Sequence, residues 1–261
     1  MPRLPYVCDG KNSPRMHSRH IMVKRHMLFE DAQQPPEEPP SYIDAHTHSW
    51  LEGDGVIRVR NIFPDRDSLK NLPETFSIGV HPFNLEDLEN VNLQLGLIRE
   101  AIQLNPAGAV AIGECGLDHF SAYPLKDQEE IFRKQIEISH EFDIPLIIHA
   151  VRAWHDIIRI KKETGSERPW LAHGFRSSMK TAEDLIDHNI MLSFGEIILH
   201  DQRTRDVLAE IPEESFVLET DESAIDIKEI YNAAAAIREI EVDELRTIVS
   251  ENFLRFRNPE K

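Results

Sequence analysis

The chain has 261 residues, of which 41% are apolar, enough for one large core and too many for a disordered chain. Its formal net charge of −17 is uneven. Residues 1–26 carry six Lys or Arg against one acid, so residues 27–261 hold 23 basic and 45 acidic side chains, −22 in all. Such a body repels polyanions over most of its surface and excludes a broad, sequence-reading nucleic-acid interface, though bound divalent cations could invert the field at one site. No apolar run approaches the roughly 18 residues of a membrane helix, and the N-terminus lacks the apolar stretch of a secretory signal. Cys8 and Cys115, far apart, do not suggest a disulfide framework; a cytoplasmic location is expected.

Residues 1–40, with QQPPEEPP near their end, read as a flexible leader, and 41–261 as the folded unit. From Tyr42 onward, strand patterns alternate with helical ones. The strands are YIDAHTH (42–48), VIRVRNI (56–62), FSIGVH (76–81), AVAIGE (109–114), IPLIIH (144–149), PWLAH (169–173), NIMLSF (189–194) and SFVLETD (215–221). Helical patterns cover 85–104, 125–142, 153–163, 179–188, 203–209 and 227–240, and an amphipathic segment over 242–255 closes the side or bottom. Thr181-Ala-Glu-Asp and Asp127-Gln-Glu-Glu resemble helix N-caps. Eight apolar strands alternating with helices predict an α/β fold, a (β/α)8 TIM-type barrel. Residues 49–55 are too few for a crossover helix, so the barrel should be distorted near its first two strands.

The chemistry stands at the strand ends. His46 and His48 share one face of the first strand, where both can grip one metal. Glu114, His149, His173 and Asp221 end the fourth, fifth, sixth and eighth strands. A single His or acid at a strand end is usually structural. Six at the same level of a barrel mouth point to a metal cage, since barrel active sites lie at this face. Four imidazoles and two carboxylates exceed the needs of one ion and suit two ions sharing a carboxylate and a bridging water, with Mg, Mn or Zn as candidates. Metals acidify bound water, and a neighbouring carboxylate, for which Asp221 is the candidate, accepts its proton.

The series YIDAHTH, SIGVHPFN, AIGECGLD, PLIIHA, LAHGF and FVLETD, with the tail RTIVSENFLRFRN, resembles the TatD family of metal-dependent deoxyribonucleases over about residues 42–257. The resemblance implies that His46, His48, Glu114 and Asp221 hold one metal, that Glu114, His149 and His173 hold the other, and that the reaction is phosphodiester hydrolysis at DNA 3′ ends. Four places depart from the family pattern: the short 49–78 segment, His119 after GLD, Arg176 after HGF, and the ESAIDI loop after Asp221.

Around the cage, His81 in GVHP, Arg152 and Arg176 are candidates for contacting a phosphate. Asp118 and His119 are candidates for orienting ligands, and Trp50 or Phe175 for stacking on a base. Cys115, Trp154 and Trp170 read as packing residues and Glu222 as a solvated acid. Two alternatives stay open beside the nuclease: an amidohydrolase-like enzyme for a small ester, amide or phosphoester, marked by a closed apolar pocket, and a non-catalytic metal-binding partner. No strand end offers the Lys that a carboxylated-lysine bridge requires.

Overall fold

The computed structural model describes residues 39–51, 53–85 and 88–258. Eight strands, β1 (Tyr42–Thr47), β2 (Val56–Ile62), β3 (Phe76–Ile78), β4 (Ala109–Asp118), β5 (Leu146–Val151), β6 (Trp170–Ala172), β7 (Ile190–Phe194) and β8 (Phe216–Leu218), form one parallel sheet in chain order. Parallel strands covered on both faces need apolar side chains inside and out, and all ten residues of β4 are buried. The ring closes where the β8 end meets β1: Asp221 N–H donates to the His46 carbonyl (2.9 Å) and His48 N–H to the Asp221 carbonyl (3.0 Å). Closure thus takes place at the level of three predicted ligands.

Seven helices flank the strands: α1 (Leu88–Leu104), α2 (Leu125–Phe142), α3 (Trp154–Thr164), α4 (Met179–Ile186), α5 (Gln202–Glu210), α6 (Ile227–Arg238) and α7 (Val242–Arg257), the last packed on β1 and β8. Among the described residues no helix joins β1 to β2, and only a 3-10 turn, Ser68–Asn71, lies between β2 and β3. The expected distortion is confined to these connections and a register shift between Asp44 and Thr47; β2 keeps its place in the parallel order.

Two expected caps fall elsewhere. Ser178, not Thr181, starts α4, its hydroxyl accepting the Thr181 N–H, and α2 begins after Pro124, leaving Asp127 inside the first turn. A chain that turns into the helix earlier than the charge pattern suggests moves the cap upstream. The first 38 residues of the expected leader lie outside the described residues. The carbonyls of its last two, Pro39 and Pro40, accept from the Arg246 guanidinium at 3.1 and 2.9 Å. Among the described residues, no helix is long and apolar enough to cross a membrane.

Candidate metal centre

The six strand-end residues converge at the mouth. His46 lies in β1 and His48 just past it. Glu114 and His149 lie inside β4 and β5, which run on to Asp118 and Val151 beyond the expected strand ends. His173 follows β6, and Asp221 stands past the end of β8 at Leu218. The chain permits this convergence where β4 meets β5. Gly116, at φ +145°, carries no Cβ; one built there would lie 2.0 Å from the His149 carbonyl oxygen. Any other residue would push apart the strands bearing Glu114 and His149.

Glu114, nearly buried, points each carboxylate oxygen at a different pair of imidazoles. Its Oε2 lies 3.7 Å from His46 Nε2 and 3.5 Å from His48 Nε2. Its Oε1 lies 2.6 Å from His149 Nδ1 and 2.7 Å from His173 Nε2. Asp221 Oδ1 joins the first pair, 3.5 and 3.7 Å from the same two nitrogens. The ligand atoms of His46, His48 and Asp221 lie within 4.8 Å of one another, as do those of His46, Glu114 and His173. Asp221 holds its position with φ at 54°, a conformation costly for a non-glycine residue, so the surrounding backbone bonds fix it there.

The donor chemistry fits a cation. His46 is fully buried, yet neither ring nitrogen has a hydrogen-bond partner, an arrangement costly unless Nε2 gives its lone pair to an ion. His149 donates from Nε2 to Asp118 Oδ2 at 2.8 Å, which leaves the Nδ1 lone pair facing Glu114. His173 turns Nδ1 towards Glu219 Oε1, 3.6 Å away, and Nε2 into the cage. Glu219, fully buried, is anchored by the Gly174 N–H at 2.6 Å. Both imidazoles on this side are backed by a carboxylate, the usual way of fixing tautomer and orientation in a metal ligand.

Charge follows the same geometry. Burial pulls His46 down, but the Asp221 and Glu114 carboxylates beside its Nε2, at 3.5 and 3.7 Å, outweigh burial and raise it to about 9. Burial likewise opposes the charge on His173, and the Glu114 carboxylate beside it wins, raising it well above the ordinary imidazole value. Burial pushes Glu114 up; the charge on His173 and the close approach of His149, His173 and His46 overcome this and hold it well below the usual carboxylate range. Asp221 is lowered against its own burial by His46, 3.5 Å away, and by the charge of His173. Protons and a divalent cation compete for these lone pairs.

His81 stands 3.3 Å from Glu114 Oε1 through Nε2. Its Nδ1 accepts the Phe83 N–H at 3.1 Å, so the neutral ring carries its proton on Nε2 and presents a donor, not a lone pair, to the mouth. The cavity above the cage, about 360 Å³, is lined by five of the six cage residues, all but buried His46, and by His81, Phe63, Phe83, Asn84 and Glu222. Other expectations fare unevenly. The Arg152 guanidinium sits over the Phe120 ring at 4.6 Å, and exposed Arg176 faces Asp201 at 3.8 Å; neither lines the cavity. His119 is exposed, so of that pair Asp118 alone orients a ligand. Phe175 is fully buried against Phe194 and offers no stacking face; the rings at the mouth are those of Phe63 and Phe83. Cys115 and Trp170 are buried, Trp154 packs on the core, and Glu222 is solvated. The closed apolar pocket that would mark a small-molecule amidohydrolase is absent from this mouth, whose walls are mainly imidazole and carboxylate.

A barrel of parallel strands with such a cage is that of a metal-dependent hydrolase. A family model described as TatD related DNase matches residues 67–258, and the chain belongs to this family of metal-dependent hydrolases. It is 31% identical over 196 residues to the Bacillus subtilis uncharacterized metal-dependent hydrolase YabD, covering 69% of this chain and 75% of that one. It is 32% identical over 148 residues to Escherichia coli YjjV, of the same description; the match spans 56% of each chain. The crystal structure of YjjV, a TatD homolog, superposes with a TM-score of 0.73 over 84% of this chain and 98% of that one, at 23% identity.

Proposed function

We propose that this chain is a TatD-type deoxyribonuclease that hydrolyses phosphodiesters at DNA 3′ ends with two divalent ions, Mg, Mn or Zn. The observation that carries the reading is Glu114, whose two oxygens face two separate imidazole pairs. His46, His48, Asp221 and Glu114 Oε2 would hold one ion, and His149, His173 and Glu114 Oε1 the other. Such ions acidify a water and neutralise phosphate charge when bound. Asp221 Oδ1, at the open side of the cage, would accept the proton of the attacking water. His81 would donate from Nε2 to a phosphoryl oxygen, which stabilises the charge that grows there. Asp118 and Glu219 hold His149 and His173 in their productive tautomers. Trp50, Phe63, Phe83 and Phe120 are exposed on the mouth-side loops, and such rings suit stacking on bases.

The same mouth supports a second reading. No Lys or Arg lines the cavity above the cage, which favours a small phosphoester over a long polyanion that needs many phosphate contacts. Chelation followed by metal add-back distinguishes these outcomes. EDTA should abolish hydrolysis of a labelled single-stranded oligonucleotide, and Mg, Mn or Zn should restore it with release of mononucleotides. Turnover of small diesters alone would establish the second reading. Full activity in a metal-stripped sample would overturn both, and no turnover with any metal would leave a metal-binding partner.

A further inference from the structure

Beside the metal cavity lies a second one of about 570 Å³, bounded by the β1–β2 connection, the start of β2 and the segment that leads from β8 into α6. It shares His48, Asp221 and Glu222 with the metal cavity, so the two open into each other. It exists because no crossover helix fills the space between β1 and β2.

Of the acids on its wall, Asp221 belongs to the metal cage, Glu222 is exposed at the shared rim, and the other two are engaged. Asp44 accepts the Thr220 N–H and hydroxyl, each at 2.8 Å, and Asp226 caps α6 by accepting the Lys228 N–H at 2.9 Å. Arg58 differs. It is half-buried on the wall, and its guanidinium, whose charge acts on the Asp44 carboxylate, makes no hydrogen bond or ion pair among the described residues. Its neighbour Arg60 spends its guanidinium on the carbonyls of Ser49 and Leu51. Gly53 brings the loop backbone close: a Cβ there would lie 3.2 Å from Arg58 Nη2, so the guanidinium is confined. In a body carrying −22, an unpaired and confined guanidinium makes a local anion site. Lys228, exposed on the same wall, adds a second positive charge. A cation is disfavoured beside Arg58, which would repel it, and the carboxylates of Asp44 and Asp226 are already bonded.

We infer that this cavity binds a second phosphate of the substrate, carried by the unit next to the scissile bond on the His48 and Asp221 side. Arg58 is the positioning residue and Lys228 sits at the rim. The inference rests on the phosphoester reading above: what continues from a phosphodiester at the metal cage is another phosphate-bearing unit, and the volume suits one nucleotide.

The test uses the full chain and two kinds of substrate. One is methyl 4-nitrophenyl phosphate, with a single phosphate; the other is dithymidine with an added phosphate at its 5′ or its 3′ end. The ratio of kcat/KM, phosphorylated dinucleotide over small diester, should fall about 10- to 100-fold in Arg58→Gln, mainly through KM, and recover in part in Arg58→Lys; this is the usual worth of a hydrogen bond to a charged group. Titration calorimetry on metal-free protein should show the same loss of affinity for the phosphorylated dinucleotide. If Arg58→Gln melts early, Arg58→Lys and Lys228→Gln carry the comparison. An unchanged ratio, or wild-type protein binding dithymidine equally with and without the terminal phosphate, overturns the subsite. Failure to hydrolyse either substrate with any metal overturns the phosphoester reading instead, and calorimetry still tests the cavity.

Discussion

The two halves of the barrel are built differently. From β4 round to β8 every strand is followed by a helix, and the imidazoles of this half have carboxylates behind them: Asp118 bonded to His149, and Glu219 facing His173 Nδ1 at 3.6 Å. From β1 to β3 there is no crossover helix, and fully buried His46 has an Nδ1 with no partner at all. The regular half therefore fixes imidazole orientation with carboxylates. The bare half relies on the strand itself and on the Asp221 peptide that closes the ring. The two proposed metal positions, set on such different supports, should differ in affinity and in what breaks them.

The residues that join the halves should give the largest effects. Glu114 serves both sides, so Glu114→Gln should leave at most one ion per chain and bring turnover below detection. Asp221→Asn keeps the shape and an oxygen ligand but discards the basic oxygen. It should retain most of its metal while turnover falls roughly 10²–10⁴-fold. Metal analysis and kinetics on the same preparations decide the matter. A Glu114→Gln protein with two ions, or an active Asp221→Asn, would break the division of roles.

A smaller effect sharpens the contrast between halves. Asp118→Asn and Glu219→Gln each remove a carboxylate behind one imidazole of the regular half. Each should weaken one of two stepwise metal affinities by about 10- to 100-fold and leave the other nearly as in wild type. Competition with a graded series of chelators measures both steps. Equal weakening of both would mean that these carboxylates act on the whole cage and not on one side of it.

Much of this was legible in the sequence because the ligands end apolar strands. A barrel brings strand ends together whatever the intervening loops do, so the apolar runs before Glu114, His149 and His173 placed those side chains at the mouth, although β4 and β5 run on to Asp118 and Val151. The missing β1–β2 helix was legible by simple length. Glu219 escaped notice because in FVLETD it reads as a strand residue; two positions before Asp221, as Asp44 stands two before His46, alternation was the available signal. Arg152 and Arg176 misled for the opposite reason. Being next to a ligand in sequence says nothing about where a long side chain goes: one lies over Phe120 and the other faces Asp201. Phe63, Phe83 and the Arg58 cavity come from loop packing in the bare half, and no local pattern encodes it.

The smallest effect lies on the regular half, away from the mouth, and asks whether its packing carries a hidden cost. Lys161 on α3 is 6% exposed, its Nζ donating to the Arg168 carbonyl at 2.8 Å and lying 4.5 Å from the Trp170 ring centroid. No carboxylate is bonded to it, and burial lowers its pKa from 10.5 to about 7. The unfolded chain therefore holds a proton that the folded chain has released between about pH 7 and 10.5, so this group's contribution to stability rises with pH across that window. Below pH 7 both states are charged and the full cost of burying the ammonium is present. Lys161→Met keeps most of the stem and removes the charge, at the expense of the bond to Arg168. The variant should be more stable than wild type at pH 6, by about 1–3 kcal/mol, and the gap should narrow steadily between pH 7 and 10. Urea unfolding of both proteins at pH 6, 8 and 10 reads the difference directly, because all other titrations are common to the pair. A gap that is flat with pH, or that widens as pH rises, would show that the Arg168 carbonyl and the Trp170 face solvate the ammonium as well as water does.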